Sequence, residues 1–216
     1  MVNPTLDWEK RLWAGGYRQV AGLDEAGRGA WAGPVVAAAV ILPPDDLDLA
    51  RRLAGVRDSK TLPAARREVL WATIGRYAVA VGVGVVPADE IDALGIIAAT
   101  RRAMALALQA LSTPADYLLI DHLRLPDQPL PQQHPPKGDA HILSIAAASI
   151  VAKVSRDRLM VELDACFPGY GFARHKGYGT AQHRAALYAL GPCAIHRRSF
   201  APLSSRPVIP VSNHRA

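Results

Sequence analysis

With 216 residues, half of them hydrophobic and a fifth charged, the chain has enough apolar mass for one good core and is not of disordered composition. No apolar run is long enough to cross a bilayer, and Asp7, Glu9, Lys10 and Arg11 interrupt any signal-peptide core. Cys166 and Cys193 form no CxxC and are expected as reduced thiols, so a monomeric, cytoplasmic protein with no membrane partner is the default expectation. A net charge of +6 and a pI of about 9.6 suit a polyanionic partner such as nucleic acid, and equally suit an inert basic surface.

Asn3-Pro4 is expected to cap a short helix carrying Leu6, Leu12 and Trp13, stopped at Gly15-Gly16. Val20 to Asp24 predicts a short strand. A glycine-rich turn from Gly27 to Gly33 then leads into the β-branched run Val35–Leu42, a hairpin buried on both faces. Thr61 and Pro63 open a helix with Val69, Leu70, Thr73, Ile74 and Tyr77 on one face. Ala78–Val86 predicts a third strand, and Pro87 opens a short helical turn to Leu94. After Gly95 a helix to about Leu111 is expected to turn Ile97, Met104, Leu108 and Leu111 inward, and Tyr117–Ile120 forms a fourth strand ending at Asp121. Prolines 126, 129, 131, 135 and 136 confine any fifth strand before Lys137 to a sheet edge. A long helix follows from about Ala140 to Phe167, then the loop Pro168–Gly179. Thr180 caps a last helix that Gly191-Pro192 closes, and the tail beyond Pro202 is expected to be mobile. The order predicts an α/β protein: a mixed sheet with helices on both faces and a small helical C-terminal region.

Asp24, Glu25, Asp121 and Asp139 stand at the ends of apolar segments. If the first and fourth strands are parallel neighbours, Asp24 and Asp121 meet at one end of the sheet, where sites in open α/β sheets gather. Adjacent strand residues face opposite ways, so Glu25 joins Asp24 only if the chain turns there, and Ala26-Gly27 offers that turn. Clustered carboxylates repel, and a hard divalent cation resolves the conflict. Two such ions about 3.5–4 Å apart can drive phosphodiester hydrolysis. The plain alternatives are caps and turns: Asp58 is expected to be one, and for Asp139 the cap and metal readings stand level.

Gly22-Leu23-Asp24-Glu25-Ala26-Gly27-Arg28-Gly29 resembles the signature of the type 2 ribonuclease H family, ribonuclease HII. Asp58-Ser59-Lys60, Leu119-Ile120-Asp121, Lys137-Gly138-Asp139 with Ser144–Val154, His175–Thr180 and His196–Phe200 resemble its further motifs, in the family's order, across about Val20 to Phe200. The resemblance implies an RNase H-like fold with a five-stranded mixed sheet. The catalytic core would span residues 17–167, a substrate-contacting C-terminal region residues 168–200, and terminal extensions residues 1–16 and 201–216. It also implies a catalytic and metal site of Asp24, Glu25, Asp121 and Asp139 holding Mn2+ or Mg2+, acting on RNA–DNA hybrids and ribonucleotide-containing duplex DNA.

The same resemblance gives Gly27, Arg28 and Gly29 the ribonucleotide at an RNA–DNA junction. Glycines let the backbone approach a sugar, and the 2′-hydroxyl is what separates RNA from DNA. Ser149 and Lys153, one helical turn apart, are implied to contact the substrate backbone beside Lys60, with Tyr178 against the nucleotide near the junction. The bland readings are a tight turn, a packing serine, solvated lysines and a loop tyrosine. Arg197-Arg198 either tracks phosphates or is solvated. His122 and His141, close to the acids, are expected as surface or supporting groups rather than ligands. A transposase, integrase or resolvase relative would share the acids without Gly27-Arg28-Gly29. A mere nucleic-acid binder would gain nothing from carboxylates facing phosphate. The tail shows no obvious sliding-clamp peptide, and no HIII-type N-terminal domain precedes the core.

Overall fold

The computed structural model describes residues 3–204. In chain order these form α1 (Asp7–Ala14), β1 (Val20–Ala26), β2 (Val35–Ile41), α2 (Leu49–Arg52), a 3-10 turn (Ser59–Thr61), α3 (Ala64–Tyr77) and β3 (Ala80–Val86). There follow α4 (Ala88–Leu94), α5 (Ile96–Gln109), β4 (Tyr117–Ile120), β5 (Gln132–Gln133), α6 (Gly138–His141), α7 (Leu143–Cys166), α8 (Phe172–His175) and α9 (Ala181–Leu190). The expected mobility of the tail, and its lack of a clamp peptide, concern residues 205–216, which lie outside the described residues.

The sheet has the order β3-β2-β1-β4-β5. β1 and β2 form the expected hairpin and β3 extends it antiparallel, while β4 runs parallel to β1 and the two-residue β5 closes the edge where the prolines confine it. Every residue of β2 is buried, because helices cover both faces. On one face Ala38, Val40 and Leu42 pack with α3 and α7 through Leu70, Ile74, Ala147 and Val151. On the other, Leu23, Ala37, Ala39 and Ile41 pack with α4 and α5 through Ile91, Ala99, Ala103 and Met104.

Two helix faces differ from expectation. In α5, Ile97 is exposed and the inward stripe is Ala99, Ala103 and Ala107 with Met104. The reason lies in β3: a Cβ at Gly82 or Gly84 would stand 2.1 Å from the Ala107 carbonyl oxygen or 2.0 Å from that of Ala103. Helix backbone thus rests directly on strand backbone, and only small residues fit between. In α3, Leu70 and Ile74 are buried, but Val69 faces solvent.

The segment from Thr5 through α1 packs against the core, with the Thr5 N–H donating to the His141 carbonyl at 3.0 Å. Asn3 caps nothing described: the residue before α1 is Leu6, which is itself buried. Glu9 is fully buried and its Oε1 accepts from the Ser144 N–H at 2.8 Å, satisfying a donor in the first turn of α7. The long C-terminal helix also differs from its expected span. It is split at Ile142, whose extended backbone (φ −115°, ψ 122°) separates α6 from α7. No helix among the described residues is long and apolar enough to cross a membrane.

Candidate active site

Strand register builds the site. Leu23 pairs with Ile120, where β4 stops, and the Asp121 N–H donates to the Leu23 carbonyl at 3.0 Å. Asp24 and Asp121 therefore lie side by side at the carboxyl ends of two parallel strands, as expected. The expected turn at Glu25 is absent: β1 continues through Ala26, with Glu25 paired to Ala37. Alternation sends Asp24 to the α7 face, where it meets the Ser149 hydroxyl. Glu25 lies beyond the last residue of β4 and feels Asp121, Arg28 and Lys60. Asp139, in the first turn of α6, is almost fully buried, and its helix is tied to the cluster by the Gly138 N–H donating to Asp121 Oδ1 at 2.7 Å. All four expected acids are thus brought to one end of the sheet.

Their electrostatics are unfavourable without a counter-ion. Burial, then repulsion from Glu25 and Asp121, holds Asp24 well above the ordinary carboxylate range, against hydrogen bonds from Ser149 and the Glu25 N–H. Burial likewise raises Glu25, opposed by Arg28 and aided by Asp121, and raises Asp139, aided by Asp121 and Asp58. Partial burial works against the Lys60 ammonium, yet Asp24, Asp58, Asp139 and Asp121 together raise its pKa. Glu25 Oε1 takes Arg28 Nη1 at 3.0 Å, but Oε2 is buried with no partner. An orphaned carboxylate oxygen, all-oxygen donors and raised acidities fit a hard divalent cation. Among the described residues no three histidine, cysteine or acidic side chains are disposed to hold a metal unaided. His122 and His141 are both exposed.

The other expected residues divide. Gly27 takes φ +94°, and a Cβ there would stand 1.9 Å from Arg156 Nε, so the turn requires glycine. Gly29 faces open space. Arg28 pairs with Glu25 instead of standing free for phosphate. Lys60 is exposed beside the acids, and Asp58 caps its turn by accepting from the Lys60 N–H at 2.9 Å. Ser149 is buried, its hydroxyl 2.9 Å from that of Ser59, so it braces Asp24 and does not face solvent. Lys153 pairs with Asp157 at 2.7 Å, and its ammonium lies 5.4 Å from the centre of the half-buried Tyr178 ring.

Three supports were missing from the sequence reading. Arg156 is fully buried; it donates to the carbonyls of Pro34 (2.9 Å), Lys176 (2.9 Å) and Ala32 (3.1 Å) and lies against Tyr178. Its place on the buried stripe Ser149, Ala152, Arg156, Met160 was the available signal. Arg197, expected to meet phosphate or solvent, is fully buried and donates to Gly33 and Arg28 carbonyls. His183 and His196 form the third support. His183 Nδ1 meets the Tyr178 carbonyl at 3.0 Å and so carries a hydrogen. Its Nε2 must then accept from His196 Nε2, 3.0 Å away, whose Nδ1 accepts from the Cys193 N–H at 3.0 Å. Each ring in this chain is neutral, with its tautomer fixed, and the chain ends on the Tyr178 backbone.

The family model described as ribonuclease HII matches residues 21–203. Ribonuclease HII of Chloroflexus aggregans is 55% identical over 202 residues, covering 94% of this chain and 95% of its own. That of Chloroflexus aurantiacus is 56% identical over 200 residues, 93% and 94% of the two chains. Among solved structures, ribonuclease H2 from Pyrococcus horikoshii matches with a TM-score of 0.71 at 25% identity, over 87% of this chain and 96% of its own. Ribonuclease HII from Archaeoglobus fulgidus, solved in complex with PCNA, matches with a TM-score of 0.67 at 29% identity, over 83% and 93%. Such identity across nearly the full length, with the family model matching all but the two ends of the chain, leaves one conclusion: the chain belongs to the ribonuclease HII family and is a metal-dependent endonuclease.

Proposed function

We propose that the chain hydrolyses the RNA strand of RNA–DNA hybrids and incises duplex DNA on the 5′ side of a single embedded ribonucleotide, leaving 3′-hydroxyl and 5′-phosphate ends. One observation carries this reading. The turn at Gly27-Arg28-Gly29 follows the carboxylates Asp24 and Glu25 on the same strand, and Gly29 faces open space. One short segment thus presents a close-approach backbone surface for a 2′-hydroxyl next to the groups that hold the neighbouring phosphate.

Asp24, Glu25, Asp121 and Asp139 would hold Mn2+ or Mg2+, two ions in all. Bound there, the ions supply an activated water and neutralise charge on the leaving oxygen. Ser149 keeps Asp24 aimed at the site through its hydrogen bond, and the Gly138 N–H does the same for Asp121. Lys60 offers positive charge at the mouth of the acidic end, suited to a backbone phosphate. Tyr178, backed by Lys153 and Arg156, offers a ring face for a sugar or base, and Lys153 its charge to the flanking backbone. Arg28 can exchange Glu25 for a substrate phosphate once a cation satisfies that carboxylate.

The test is cleavage mapping on end-labelled duplexes carrying one ribonucleotide, a ribonucleotide run, or none, in manganese or magnesium. Incision 5′ of the lone ribonucleotide with no cut in all-DNA is the expected result. Equal cutting of all-DNA, or cutting of long hybrids alone, would refute junction reading. A cyclic-phosphate product would refute the metal-activated-water route, because it requires the 2′-hydroxyl as nucleophile.

A further inference from the structure

Arg156 and Arg197 are both fully buried, and no carboxylate oxygen among the described residues lies within ion-pair distance of either. Burial, then Arg156, lowers Arg197 to about 9, so it remains cationic at neutral pH. Two neighbouring buried cations cost stability that apolar side chains would not. Arg197 Nη2 adds a buried donor without an acceptor. What the Arg197 fork secures is specific. Nε donates to the Gly33 carbonyl at 3.0 Å, and Nη1 to the Arg28 carbonyl at 2.9 Å. Its own backbone N–H donates to the Trp31 carbonyl at 2.8 Å, and Asp92 anchors the next residues by accepting from the Arg198 and Ser199 N–H groups.

The Arg28 carbonyl is one end of a planar trans peptide whose other end is the Gly29 N–H. In such a peptide the two groups point in opposite directions. With the carbonyl held toward the core, the N–H turns outward, at the glycine whose Cβ position meets only open space. We propose that Arg197 is a positioning residue for ribonucleotide recognition: by holding the Arg28 carbonyl inward, it aims the Gly29 N–H at the ribose 2′-hydroxyl. Arginine is required because only a fork reaches the Arg28 and Gly33 carbonyls together; lysine keeps the charge and reaches one of them. The proposal rests on the ribonucleotide-reading role given above to Gly27-Arg28-Gly29.

Arg197→Lys is tested beside the parent chain on a duplex with one ribonucleotide, a continuous hybrid and an all-DNA duplex, with Tm measured in parallel. A lone ribonucleotide offers a misdirected donor a single 2′-hydroxyl, whereas a hybrid offers one in every adjacent register. The expected result is a loss of about tenfold in kcat/KM on the single-ribonucleotide duplex, equivalent to about 1.4 kcal/mol, with a clearly smaller loss on the hybrid. Equal losses on both substrates, or none, would overturn the proposal. If Arg197→Lys does not fold, Arg197→Met, which keeps the apolar stem, carries the same comparison. Failure of both to fold would also overturn it, because the side chain would then hold the fold and not the turn. A parent chain that shows no preference for ribonucleotides over all-DNA would instead sink the reading beneath it, so the two failures are distinguishable.

Discussion

Replacing Asp24 with asparagine should stabilise the metal-free protein while abolishing cleavage. Asp24 is almost fully buried, and burial together with Glu25 and Asp121 holds its pKa well above the ordinary range. Between the unfolded and folded pKa values the folded chain binds more protons than the unfolded one. Stability is therefore lost as pH rises through the folded pKa, and that penalty is present in full above it. Asparagine keeps the shape, still accepts from the Glu25 N–H, and never pays the charge. Each pKa unit of strain removed corresponds to about 1.4 kcal/mol, which in a domain of this size moves Tm by roughly 3–6 °C. Manganese should reverse the ranking. At a hundred times its Kd a ligand adds about 2.7 kcal/mol to the state that binds it, a gain the parent should show and the variant largely lose. The assay is a thermal scan of both proteins with chelator and with manganese, at pH 8 and pH 5, beside cleavage of a labelled hybrid. A variant less stable than the parent in chelator, or one that still cuts at the parental rate, would refute the reasoning.

Tyr178→Ala should lose roughly 1–3 kcal/mol of substrate placement, read as a raised KM on the single-ribonucleotide duplex with Tm nearly unchanged, while Tyr178→Phe should retain most of it. A large fall in Tm with unaltered kinetics would make the ring a packing residue. The neutral chain of His183 and His196 sets an acid limit of opposite sign to Asp24. Burial, then His183, lowers His196 to about 4, and burial lowers His183 as well. Both depressed values mean that the unfolded chain takes up protons first, so their contribution is lost as pH falls from about 6.5 toward 4, costing about 3 kcal/mol for His196 alone. His196→Gln should flatten that dependence in urea midpoints measured between pH 7 and pH 5, and an unchanged slope would exclude His196 as its source.

Most strands were legible because they are short apolar runs separated by glycine and proline. The β1–β2 hairpin and the proline-limited β5 follow from such local signals, whereas the parallel pairing of β4 with β1 joins segments about a hundred residues apart and could only be posed as a condition. Helix faces were less legible where the partner surface decides them. Nothing in the sequence of α5 says that Ala103, not Ile97, faces inward; Gly82 and Gly84 on β3 decide it by letting the helix backbone come down onto the strand. The turn expected at Glu25 failed for a similar reason. Alternation alone requires a bend if two adjacent carboxylates are to meet, but a strand that outruns its neighbour leaves the end of the sheet open. Glu25 then approaches Asp121 without any bend.

The site divides along the same line. Asp24, Glu25 and Asp121 announce themselves because they end apolar strands, where a carboxylate is anomalous in one-dimensional sequence, whereas Asp139, standing before a helix, read equally well as a cap. The groups that aim the site do not announce themselves, because their partners are backbone carbonyls. Arg156 and Arg197 donate to Arg28, Ala32, Gly33, Pro34 and Lys176 through peptide oxygens that every residue type possesses. No side-chain pattern marks an acceptor of this kind, and a basic residue read alone suggests solvent or phosphate. Arg156 could still have been found from its own helix: Ser149, Ala152 and Met160 bracket it at spacings of three and four, which puts a charged residue on a buried stripe. Arg197 lies on no regular element and has no such neighbours. A buried arginine inside a helical stripe is therefore detectable from sequence, and one in a loop is not, although here both lie against the turn that follows Asp24 and Glu25.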